Sequence, residues 1–237
     1  MGNYLILLTA LLPIAILVYH IYRKDKKSPE PTGQLVKAFL FGILSVPVSF
    51  CISIPLGIIG LYPVEATSIL GSISTAFFGA AIPEESAKYF MLLLLLRKNR
   101  YFDEKMDGIV YAVCVSLGFA ALENIMYLFS NAESYLSVGI VRAIFAIPGH
   151  FCFGILMGYY YSLAKFYPKT PKKNKVLILV APILVHGVYD SILFIINVTP
   201  AISGILMIVF LVFCHKMWKY GSKSIKEHIE RDSGYNF

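Results

Sequence analysis

Seven apolar runs, each long enough to cross a lipid bilayer, constrain this 237-residue chain more than any other feature. A helix that spans ~30 Å of hydrocarbon needs about 20 mostly apolar residues. Runs of that kind lie at roughly 3–22, 33–62, 67–96, 106–129, 138–164, 176–196 and 200–218. The composition agrees, with 57% hydrophobic residues and a mean hydropathy of +0.70. Soluble domains are about 45–50% apolar, and a chain this apolar lacks the polar surface to cover a water-facing core. The runs leave little sequence for anything else. The expected fold is one all-α polytopic transmembrane bundle occupying residues 1–237.

Basic residues fix an expected orientation. Cytoplasmic loops carry excess Lys and Arg. Here Arg23, Lys24, Lys26 and Lys27 follow the first run, and Arg97, Lys98, Arg100 and Lys105 follow the third. Lys165, Lys169, Lys172, Lys173 and Lys175 follow the fifth, and Lys216, Lys219, Lys223, Lys226 and Arg231 follow the seventh. The intervening loops, near 62–66, 130–137 and 197–199, have none. This alternation places 18 of the 21 basic residues on one side. It predicts the N-terminus outside, the C-terminus in the cytoplasm and an odd number of spans. The net charge of +7 is therefore read as membrane loop chemistry, with no nucleic-acid partner. The first run has no basic residue before it and four after it, as expected of an anchor rather than a cleaved signal. The basic stretch Lys216–Arg231 reads as a solvated, frayed end. Cys51, Cys114, Cys152 and Cys214 stand singly, without metal-type or disulfide spacing.

Ionisable residues inside the runs carry the functional signal. Each costs at least ~2.5–3.5 kcal/mol at the bilayer midplane. They are Glu84, Glu85, Lys88, Glu123, Arg142, His150, His186 and Asp190. On straight helices rising ~1.5 Å per residue, Glu84, Glu85 and His186 lie ~17–18 Å from the basic edge. His150 and Asp190 lie at ~23 Å, Glu123 at ~27 Å and Arg142 at ~35 Å. Pro83 removes a backbone donor beside Glu84 and predicts a kink or break in the third run. Glu84 and Lys88, at i and i+4, are expected to pair. That leaves Glu85 without a local partner. His186 and Asp190 share a helix face at the same spacing, and an acid there orients an imidazole. Arg142 is the expected partner of Glu123. Gly154-x-x-x-Gly158 predicts close helix packing that would draw the His150 backbone to a neighbour.

Glu84-Glu85-x-x-Lys88, Gly118-x-Ala120-x-x-Glu123-Asn124-x-x-Tyr127, Pro148-Gly149-His150 and His186-Gly187-x-Tyr189-Asp190 occur in that order. Together they resemble the PrsW family of intramembrane proteases, within a wider group that includes the CAAX-processing and bacteriocin-processing proteases. Those relatives carry Glu-Glu-x-x-x-Arg and His-x-x-x-Asn, whereas this chain has Lys88 one position earlier and Asp190 in place of the Asn. The resemblance implies a bacterial cell-membrane endopeptidase that makes the first cut in a single-span membrane protein, typically an anti-sigma factor.

Two hydrolytic schemes fit the residues. In a glutamic scheme, Glu84 or Glu85 activates water, His150 and His186 assist, and Lys88, Glu123, Asn124 and Asp190 support them. In a metal scheme, His150, His186 and one glutamate bind an ion such as Zn²⁺, and the other glutamate is the base. No His-Glu-x-x-His is present. The family analogy favours the metal-free scheme. The alternative class is a proton-coupled transporter or channel, since buried acids and histidines also mark ion paths. A third is a non-catalytic scaffold.

Overall fold

The computed structural model describes residues 3–25, 28–167 and 172–234, and among these it contains helices and no strand. Lys26, Lys27 and Lys169 lie outside the described residues. The α-helices are α1 (Asn3–Lys24), α2 (Thr32–Ile58), α3 (Ile69–Ser74), α4 (Ile82–Leu96), α5 (Lys105–Ser130), α6 (Tyr135–Ile144), α7 (Ala146–Phe166), α8 (Lys172–Val198) and α9 (Ser203–Asp232). Six helical stretches among the described residues are long and apolar enough to cross a membrane, namely 3–24, 32–58, 105–130, 132–166, 172–198 and 200–232. The third apolar run is also helical, from Ile69 to Leu96, but in three pieces. Between α3 and α4 it adopts a π-helical segment, Thr75–Ala81.

That segment answers the kink expected at Pro83. The Ile82 N–H bonds to the Phe77 carbonyl, five residues back, which is π spacing. Pro83 then sits at the start of α4, where a missing donor is tolerated. The fifth run is divided too. Phe145 is distorted (φ −118°, ψ −61°) where α6 gives way to α7. Pro148 follows in the first turn of α7, where the N–H groups have no intrahelical partner to lose.

The centre of the bundle is α5, buried without interruption from Met106 to Ala121. A helix apolar on all faces is a core helix, and two glycine contacts hold it. A Cβ on Gly118 would stand 2.1 Å from the Phe39 carbonyl of α2. One on Gly158 of α7 would stand 2.3 Å from the Gly108 carbonyl. Only glycine allows such approach, the packing predicted for the 154–158 pair.

The basic loop ends gather at one end of the bundle. Lys105 pairs with Asp232 at 3.0 Å, and Lys165 donates to the Phe102 carbonyl. The stretch Lys216–Arg231 is not frayed. It continues α9, buries Gly221, Ser224, Ile225 and His228, and stacks His228 on Tyr159 of α7 at 4.6 Å. Asp232 accepts the backbone N–H groups of Lys105 and Met106 at 3.0 and 2.9 Å, capping α5 from a different helix. The sequence reading fails there because charge alone suggests solvent, while the buried residues recur one turn apart on one face of the helix.

Candidate active site

Glu84 and Glu85 stand in the first turn of α4, immediately after the π-helical segment. Their surroundings differ. The Glu85 side chain is fully buried, while the Glu84 side chain is 15% exposed and lines a cavity. The Lys88 ammonium lies 2.8 Å from Glu85, 3.3 Å from Glu84 and 3.2 Å from Nδ1 of His150. It also sits 4.1 Å over the Phe119 ring. Glu85 therefore does have a local partner, contrary to the i, i+4 expectation. At i+3 Lys88 reaches it more closely than it reaches Glu84, and Nδ1 of His186 approaches the same oxygen at 2.9 Å.

His150 is fixed from both sides. An ammonium only donates, so Nδ1 accepts from Lys88 and Nε2 carries the proton toward Glu123, 3.0 Å away. Its backbone carbonyl accepts the Ser116 hydroxyl at 2.6 Å, anchoring α7 to α5. Glu123 also accepts from Arg142 at 2.6 Å, the expected pair. Straight-helix depths place Arg142 and Glu123 apart from the histidines. The break at Phe145 and the side-chain reach close that gap. Asn124 stands one step back, accepting from Nε of Arg142 at 2.6 Å and donating to the Ala10 carbonyl of α1 at 2.8 Å.

His186 on α8 presents Nδ1 to Glu85 and Nε2 to Asp190, 3.2 Å away. Whichever nitrogen carries the proton, a carboxylate is there to accept it. The ring stacks on Phe153 at 4.5 Å and 17°. Gly187 beside it makes room for Phe77 of the π-helical segment, whose ring a Cβ would meet at 2.3 Å.

All eight residues singled out from sequence thus join one hydrogen-bonded network. Glu84, Glu123, His150, His186 and Asp190 line a single cavity of about 260 Å³, with Arg142, Tyr127 and Tyr189 among its other walls. Tyr189 belongs to the His186-Gly187-x-Tyr189-Asp190 motif, where its residue type alone signals no role. Its hydroxyl is buried without a hydrogen-bond partner. Phe119 and Phe153, which hold Lys88 and His186 in place, carry no signal that separates them from packing aromatics.

The donor set suits a divalent ion. Ligand atoms of Glu84, Glu123 and His150 lie within 4.8 Å of one another, and so do those of Glu84, Glu85 and His186. Two ligands ~2.0 Å from a tetrahedral ion stand about 3.3 Å apart, close to the 3.0 Å of Glu123–His150 and the 2.9 Å of Glu85–His186. The second Glu85 oxygen is buried with no partner. Imidazole with carboxylate is a Zn²⁺- or Mn²⁺-type set.

A family model described as PrsW family intramembrane metalloprotease matches residues 30–215. A relative from Clostridioides difficile, named Protease PrsW, is 37% identical over 226 residues, covering 94% of this chain and 90% of the relative. One of the same name from Oceanobacillus iheyensis is 38% identical, covering 79% of this chain and 82% of the relative. A third, from Bacillus subtilis, is 35% identical over 219 residues and covers 90% of each chain. No solved structure matches.

Proposed function

Because the chain belongs to the PrsW family of intramembrane proteases, we propose that it hydrolyses a peptide bond of a single-span membrane protein within the cavity between α4, α5, α7 and α8. It is a multi-pass bacterial membrane protease. The observation that carries the reading is the convergence of Glu84, Glu123, His150, His186 and Asp190 on one cavity, from helices far apart in sequence. The transporter reading has no such family behind it.

The family description and the ligand spacings favour the metal arrangement over the metal-free one preferred from sequence. Glu84, Glu123 and His150 are the residues that would hold the ion. A divalent ion held there would supply Lewis acidity for amide hydrolysis. For His150 to bind an ion through Nε2, the proton there would be lost and Nδ1 would take one from Lys88, while Arg142 keeps Glu123 oriented. The His186–Asp190 pair, open to the cavity and backed by Glu85, takes the proton of the attacking water and returns it to the leaving amine. The Tyr189 hydroxyl donates to the oxyanion. The substrate in this reading is an anti-sigma factor, and the cut falls toward the outer side of the membrane, with the basic loops in the cytoplasm.

The test is cleavage of candidate single-span proteins from the same cell by purified enzyme in liposomes, with metal analysis of each variant. Glu84→Gln, Glu123→Gln and His150→Ala should lose both cleavage and bound ion. His186→Ala and Asp190→Asn should lose cleavage, by at least ~100-fold, and keep the ion. Loss of ion in Glu85→Gln with retention in Glu123→Gln reassigns the ligands to the other triad. Full activity in chelator returns the site to the glutamic scheme, and full activity in His186→Ala removes the proposed proton carrier.

A further inference from the structure

A second group of buried carboxylates lies at the basic end of the bundle, outside the cavity. Asp25 follows α1, Glu30 precedes α2, and Glu104 and Asp107 open α5. Ligand oxygens of Asp25, Glu104 and Asp107 lie within 4.8 Å of one another. Asp25 is 4% exposed, Glu30 5% and Asp107 1%. Glu104 is only partly buried, which leaves the group a side open to water.

Their hydrogen bonds account for part of this chemistry. One Asp107 oxygen accepts the N–H groups of Glu104 and Asp103 at 2.7 and 3.0 Å. The Glu104 side chain closes the reciprocal capping bond. Glu30 accepts the Tyr111 hydroxyl. Asp25 accepts the Glu30 N–H at a long 3.4 Å. The other Asp107 oxygen is buried with no N–H or hydroxyl donor, and the Asp107 carboxyl faces that of Glu30. Among the described residues no Lys or Arg forms an ion pair with Asp25, Glu30 or Asp107. Lys105 is engaged by Asp232, and Lys165, which donates to the Phe102 carbonyl, acts on Asp107 and Glu30 only through space. Burying carboxylates against one another without a direct ion pair is costly, and a divalent cation held between them would offset that cost.

We propose that Asp25, Glu104 and Asp107 bind a hard divalent cation, Mg²⁺ or Ca²⁺, with Glu30 and Tyr111 bracing the site. All-oxygen donors with carboxylate charge select these ions over Zn²⁺ or Cu²⁺. The site is separate from the proteolytic cavity. Asp107 and Glu123 are on the same helix, about 16 residues and ~24 Å apart. The cation ties the α1–α2 connection, through Asp25, to the first turn of the central helix.

Chelator-stripped full-length protein in detergent would be titrated calorimetrically with CaCl₂ and, separately, with MgCl₂, and its thermal unfolding followed with and without each ion. One site is expected that persists in Glu84→Gln and His150→Ala, so it is read independently of the catalytic ion. Asp107→Asn and Asp25→Asn should each weaken binding at least tenfold and abolish the ion-dependent rise in Tm. Asp25 lies outside any helix, so Asp25→Asn decides the matter if Asp107→Asn fails to fold. No heat and no Tm shift with either ion at millimolar concentration overturns the proposal. So does binding that survives unchanged in Asp25→Asn, or binding lost in Glu84→Gln but kept in the two aspartate variants.

Discussion

Lys88 is the side chain on which the polar network turns, touching both glutamates and His150 while only 1% exposed. Removing one member of a buried ion pair typically costs ~3–5 kcal/mol. Lys88→Met should therefore lower stability by about that amount, read as a fall in Tm of the purified protein. Double replacement with Glu85→Gln should recover part of it, since the orphaned charge is then gone. Tyr189→Phe is the milder case. It deletes one unpaired hydroxyl and no packing, so Tm should hold while kcat falls by ~10–100-fold with KM little changed. Sequence reasoning reached the residues of this network because polarity inside an apolar run is expensive. It could not tell which adjacent glutamate faces the cavity. That depends on His186, 101 residues away in the chain, and on Phe119 and Phe153, whose roles appear only once their neighbours are known.

At the scale of elements, the apolar runs were legible because length and hydropathy follow directly from bilayer thickness. The interruptions were half legible. Pro83 signalled a disturbance, but nothing local says that it resolves as a π-helical segment upstream rather than as a bend. The break at Phe145 arises three residues before Pro148, where no turn-forming residue stands. The docking of α9 was misjudged because its lysines masked the buried face. The glycine seams give the sharpest test at this scale. Gly158→Leu places a side chain where even a Cβ would stand 2.3 Å from the Gly108 carbonyl. It should separate α7 from α5, costing more than the ~1–3 kcal/mol of ordinary overpacking. It would be read as lost cleavage together with a lowered Tm. Gly204→Leu, with open space around its Cβ position, is the matched control and should leave both unchanged.

For the molecule as a whole, the basic ends of α1, α4, α7 and α9 meet at one end of the bundle. That grouping is what an outward N-terminus and a cytoplasmic C-terminus, proposed from charge, require. Cysteine labelling in intact cells checks it. In a background without native cysteines, Ser222→Cys should resist a membrane-impermeant maleimide until the cells are opened. Glu133→Cys, in the connection between α5 and α6, should react from outside. The reverse pattern would put the cavity's mouth in the opposite leaflet.

The cap that Asp232 places on α5 also has a consequence in time. The two residues are separated by 127 positions, and bacterial synthesis proceeds at about 5–20 residues per second. The first turn of the central helix therefore waits roughly 6–25 seconds on the translating ribosome for its last hydrogen-bond acceptor. Through that interval the central helix is made but its first turn is not yet clasped, so the bundle is fastened at that end only when nearly all of the chain has been built.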